Sequence, residues 1–111
     1  MQISDYESQA MRTARVEDDK EAQVLAVLAL CGEAGELANL VKKKFAYKKP
    51  ITRDQIGDEL GDVLWYVARV AQAYGLSLES VAHMNLVKLK KRFPDGYDQS
   101  KAVQDHQSEG A

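Results

Sequence analysis

The chain has 111 residues, enough for one domain around one hydrophobic core, with 45% apolar and 29% charged residues, both ordinary for a globular protein. A formal net charge of only −2 gives no global field that would favour a nucleic-acid polymer or an anionic membrane. The longest uninterrupted apolar run, residues 24–31, is far short of the roughly 20 needed to span a bilayer, the polar start has no parts of a signal peptide, and Cys31, being alone, cannot form an internal disulfide, so a cytoplasmic location is expected.

Proline occurs only at Pro50 and Pro94, and no stretch reads as strand-turn-strand. The pattern predicts an all-α fold of four to five helices, a helical bundle in one domain over residues 1–97, with a mobile tail over 98–111. The first helix is expected over residues 4–16, opened by a capping box in which Ser4 and Glu7 satisfy each other's free N–H groups. The second begins near Asp19. It carries Val24, Leu28, Leu37, Leu40, Val41 and Phe45 at helical spacing on a wide apolar arc, and Cys31 as a small buried apolar residue. It is long, about 40 Å if it runs to Pro50, and glycines in its middle predict a kink. Thr52 and Gln55 form a capping box for the third helix, Gly75 stops it, and Ser77 caps a fourth that runs to about Phe93. "PDGY" then reads as a turn.

Two short segments carry the chemistry. "GEAGEL" places Glu33 and Glu36 three residues apart, and "DELGDVLWY" does the same for Glu59 and Asp62. On a helix, residues three apart lie on one face. Both pairs border an apolar stripe, so antiparallel packing of the second and third helices across Pro50 lets all four carboxylates converge. Clustered acids out of water cost several kcal/mol each unless a cation compensates them. An all-oxygen set suits Mg²⁺, with Mn²⁺ as a substitute, better than zinc. Gly32, Gly35, Gly57 and Gly61, each costing about 1 kcal/mol relative to alanine, are then expected to leave room for close approach of helices or a ligand. A single ExxE on a helix is usually a solvated face; two glycine-flanked pairs on core-bordering faces fit that reading less well.

On the fourth helix, Leu78, Val81, Asn85, Lys88 and Arg92 form one stripe, apolar at its start and polar at its end. Asn85 falls where a core residue is expected and needs a partner. Lys88 and Arg92 are placed to reach anionic ligand oxygens; the competing reading is that they are cations favoured at a helix C-terminus. Tyr66, one turn past Asp62, is placed to border a base or ribose, and Trp65 to pack in a core or an interface. Lys42, Lys43 and Lys44 read as solvated lysines, and His83 as a surface or packing residue.

Taken together, "GEAGEL … DELGDVLWY … NLVKLKKRFPDGY" resembles the MazG-like nucleotide pyrophosphohydrolases of the all-α NTP pyrophosphatase superfamily, whose pattern is ExxE, a spacer, then ExxD. The opening "Y..QA.RTA" is similar too, and the resemblance spans residues 4–97. It implies hydrolysis of nucleoside triphosphates between the α and β phosphates, with Glu33, Glu36, Glu59 and Asp62 holding Mg²⁺ and one glutamate orienting or deprotonating the attacking water. It also implies phosphate contacts from Asn85, Lys88 and Arg92, and a homodimer or homotetramer that completes the bundle. Cys31-Gly32 stands where many members carry a further glutamate. Two alternatives are a non-catalytic helical interaction module and a related phosphoribosyl-ATP pyrophosphohydrolase. A di-iron bundle is disfavoured, because neither acidic motif contains histidine.

Overall fold

A computed structural model describes residues 1–97; the 98–111 tail lies outside the described residues. The fold is all-α, as expected, with four helices among the described residues: α1 (Ile3–Met11), α2 (Asp19–Tyr47), α3 (Arg53–Ala73) and α4 (Leu78–Arg92). Two compact units divide the chain, Met1–Leu78 and a second that begins at Glu79, so α4 lies beyond its first residue in the second unit.

Local chemistry sets most helix ends. Asp18 caps α2 by accepting from the Glu21 N–H at 2.8 Å. At the other end Lys48 adopts the left-handed conformation, φ 53°, which stops α2 two residues before Pro50. The expected capping box opens α3: the Gln55 N–H donates to Thr52 Oγ1 at 3.1 Å, and the Thr52 N–H to Gln55 Oε1 at 2.8 Å. Gly75, φ 72°, closes α3, with the Leu76 N–H returning to the Ala71 carbonyl at 2.7 Å and the Gly75 N–H to Gln72 at 3.1 Å. The turn at "PDGY" forms around Gly96, φ 89°, and sets the Phe93 and Tyr97 rings 5.9 Å apart.

The first helix departs from expectation at both ends. Asp5, not Glu7, closes its opening turn by accepting from the Gln2 N–H at 3.0 Å. Glu7 instead accepts from the Leu78 N–H at 2.8 Å, tying α1 to the start of α4. The helix ends at Met11 rather than Val16; Thr13 Oγ1 donates to the Ala10 carbonyl at 2.7 Å and draws the chain into a turn.

The first unit is an antiparallel hairpin of α2 and α3. Gln23 at the start of α2 donates to the Ala73 carbonyl at the end of α3 at 3.1 Å, and Tyr74 Oη donates to the Gln23 carbonyl at 3.4 Å. Small side chains let the helices approach here: Ala22, Ala26, Ala68, Ala71 and Ala73 are buried, joined only by Leu78 among the described residues. Among the described residues no large side chain is fully buried, and Val24, Leu28, Leu60, Leu64 and Phe45 are exposed. Cys31 is exposed as well, contrary to the expectation of a buried site, because α2 is apolar around more of its circumference than one neighbour covers. α2 runs 29 residues without interruption, and an 18-residue window within it reaches a mean hydropathy of 1.7, long and apolar enough to cross a membrane by length and composition alone. It also carries Glu33 and Glu36, and an ionised group at the centre of a spanning helix costs about 2.5–3.5 kcal/mol.

Candidate metal centre

Midway along the hairpin, the seam between α2 and α3 changes from alanine to carboxylate. Glu33 reaches across from α2 to Glu59 and Asp62 on α3, and one carboxylate oxygen from each lies within 4.8 Å of the others. The i, i+3 spacing of Glu59 and Asp62 puts both on the α2-facing side, and the antiparallel pairing brings Glu33 to their level. Glu33 and Glu59 are half-buried; Asp62 is exposed.

Glu59 is the electrostatic centre of the group. Its Oε2 is buried with no hydrogen-bond partner among the described residues. Loss of water pushes its carboxyl above the usual range, and the charges of Asp62, Glu33, Glu36 and Asp58 push it further in the same direction. A carboxylate that clusters with two others and has a buried oxygen without a donor is an arrangement that a hard divalent cation satisfies and a protein donor here does not. The residues present therefore fit a metal of the Mg²⁺ or Mn²⁺ type: oxygen donors only, with neither histidine nor cysteine among them.

Three of the four acids singled out from the sequence form the tight group. Glu36 is exposed and outside it, yet near enough for its charge to act on Glu59. Asp58 was missed by the spacing argument; its signal was adjacency to Glu59 in "GDELGD". The four glycines near the acids do not serve helix packing within the chain, against one half of the expectation, since a Cβ at Gly32, Gly35, Gly57 or Gly61 would meet nothing within 4 Å.

Tyr66 lies one turn beyond Asp62, its ring edge-on to Trp65 at 4.8 Å and 77°. Trp65 is held against α1, its Nε1–H shared between Thr13 Oγ1 at 2.9 Å and the Ala10 carbonyl at 3.2 Å. Asn85, Lys88 and Arg92 belong to α4 in the second unit. Asn85 is exposed, so the core position expected for it is not what it occupies; Lys88 is exposed and Arg92 half-buried.

Residues 22–97 match the family described as the MazG nucleotide pyrophosphohydrolase domain. The chain is 42% identical over 79 residues to the Gene 37 protein of Mycobacterium phage L5, covering 68% of this chain and 69% of that one. It is 36% identical over 73 residues to the uncharacterized protein YvdC of Bacillus subtilis (strain 168), covering 58% of this chain and 69% of that one. No solved structure matches significantly.

Proposed function

Because the chain belongs to the MazG nucleotide pyrophosphohydrolase family, we propose that it hydrolyses nucleoside triphosphates between the α and β phosphates, giving a monophosphate and pyrophosphate, with Mg²⁺ bound and Mn²⁺ as a substitute. The observation that carries this reading is the convergence of Glu33, Glu59 and Asp62, with one carboxylate oxygen of Glu59 buried and partnerless. These three, joined by Glu36, hold the metal, which when bound supplies charge neutralisation for the phosphate oxygens and the leaving pyrophosphate. One of these glutamates also orients the attacking water or takes its proton. The phosphate-contacting role of Asn85, Lys88 and Arg92 is proposed on the sequence pattern alone.

A second copy of the chain belongs to the same proposal, as a homodimer or homotetramer. Leu28 is 63% exposed and Phe45 77%, on a helix whose apolar residues one neighbour does not cover. Such a surface is what protein partners bury. A cytoplasmic setting and nucleotide-pool housekeeping complete the reading.

The test compares wild type with Glu59→Gln, which keeps the shape and removes the charge. Pyrophosphate release should fall by more than the about 10–100-fold that losing an outer-shell partner of a metal costs. Mg²⁺ should raise the thermal midpoint of the wild type and leave that of the variant unmoved, since a ligand that binds only the native state stabilises it. Unchanged turnover in a folded Glu59→Gln protein would remove the acids from the reaction.

A further inference from the structure

One helical turn along the same seam, a cavity of about 240 Å³ opens beside the acids. Ala29 lines it, four residues before Glu33, and Tyr66 lines it, four residues after Asp62. The cavity and the carboxylates are therefore neighbours roughly 5–6 Å apart along the hairpin. The volume is below the roughly 300–1,000 Å³ of sites that enclose a whole drug-sized ligand, and it suits one part of a nucleotide rather than all of it. Small aliphatic walls from α2 and an aromatic pair from α3 suit a flat ring: Ala26 and Ala29 on one side, Tyr66 and the anchored Trp65 on the other. Aromatic faces accept any base by stacking, so the walls give affinity without choosing among bases.

Choice requires polar groups, and three charged ones line the cavity: Arg15 and Glu17 from the connection between α1 and α2, and Arg69 from α3. Glu17 and Arg69 are half-buried. Arg69 Nη1 donates to Gln72 Oε1 at 3.1 Å, which uses one of its five N–H groups. Among the described residues, no hydrogen bond or ion pair engages Arg15 or Glu17. A carboxylate offers two acceptors side by side, and a guanidinium two donors side by side.

Guanine is the base that matches both. Its N1–H and exocyclic N2–H are adjacent donors for a carboxylate, and its O6 and N7 are adjacent acceptors for a guanidinium. Adenine sets an acceptor, N1, beside its amino donor; cytosine does the same with N3. Uracil and thymine have one ring N–H between two carbonyl acceptors. Each of these leaves one carboxylate oxygen facing an acceptor, and an unpaired or opposed polar group, where the site holds it out of water as it does the half-buried Glu17, is what gives discrimination. We propose that this cavity is the base subsite of the reaction proposed above, on which this inference rests, and that Glu17 with Arg15 and Arg69 selects guanine nucleotides.

The experiment measures pyrophosphate release from ATP, GTP, CTP and UTP and their deoxy counterparts, with Mg²⁺, for wild type, Glu17→Gln and Arg15→Ala, each checked for an intact thermal transition. The expected result is kcat/KM for GTP or dGTP at least about tenfold above the other bases, with that preference reduced about tenfold or more in Glu17→Gln, chiefly through KM. Equal turnover of all bases, a preference for another base, or a guanine preference untouched by both variants overturns the subsite and leaves the reaction standing. No pyrophosphate from any triphosphate overturns the reaction and the subsite with it.

Discussion

The two halves of the α2–α3 seam follow opposite designs. At one end, where the start of α2 meets the end of α3, alanines close the interface and Gln23 bonds across it to Ala73 and Tyr74. In the middle, carboxylates face one another, glycines border open space, and a buried oxygen of Glu59 has no partner. One pair of helices thus has a half that is complete in itself and a half that lacks something. The closed half holds the register that brings Glu33 to Glu59 and Asp62, so the order at one end makes the unsatisfied group at the other possible.

Adding carbon to each half separates the two designs. Ala68 has 0% exposure in the closed half. Ala68→Leu should cost about 1–3 kcal/mol through overpacking, read as a lower urea midpoint with an unchanged slope. Because it shifts the seam, it should also weaken Mg²⁺ stabilisation, although Ala68 touches no metal. A loss of stability with the Mg²⁺ response intact would mean that the closed half does not set the geometry of the acids.

How far the sequence announced this division follows from the range of the forces involved. The Thr52–Gln55 cap and the Gly75 stop were legible because each is satisfied within a few residues. The convergence of the acids was legible because i, i+3 spacing fixes a face and Pro50 forces a hairpin. The start of α1 was not, since Ser4/Glu7 and Gln2/Asp5 have equivalent spacing, and the choice was made by Leu78, far along the chain, taking the Glu7 carboxylate. Cys31 was misjudged because periodicity shows which residues are apolar but not how many neighbours arrive to cover them. The cavity beside Tyr66 was also out of reach: Arg15 and Glu17 enter it from a connection with no period to read.

The glycines give a smaller effect of opposite sign. A Cβ at Gly61 meets nothing within 4 Å. Gly61→Ala should therefore stabilise the metal-free chain by about 0.4–1 kcal/mol, mainly by reducing the freedom of the unfolded state. If the open space belongs to a ligand, the same variant should lose pyrophosphohydrolase activity while gaining urea resistance. A variant that is both more stable and fully active would assign the glycine no part in the site.

The smallest effect is a tilt in stability with pH that only the acid half can produce. The folded-state carboxyl of Glu59 holds its proton more tightly than the ordinary value of 4.5, first because it has lost water and then because of the neighbouring acids. Above about 4.5 the unfolded chain has released that proton while the folded chain keeps it, so folding takes a proton up. Stability of the metal-free protein through this group is accordingly greatest at low pH, declines as pH rises through the window from 4.5 to the raised value, and is level above it. Urea midpoints across that window should fall more steeply for wild type than for Glu59→Gln, whose amide has no proton to lose. Mg²⁺ should act in the opposite sense, stabilising more as pH rises, because the metal binds the deprotonated acids. Parallel curves for wild type and Glu59→Gln would mean that Glu59 is not where the seam stores its strain, and the division between a satisfied and an unsatisfied half would lose its electrostatic basis.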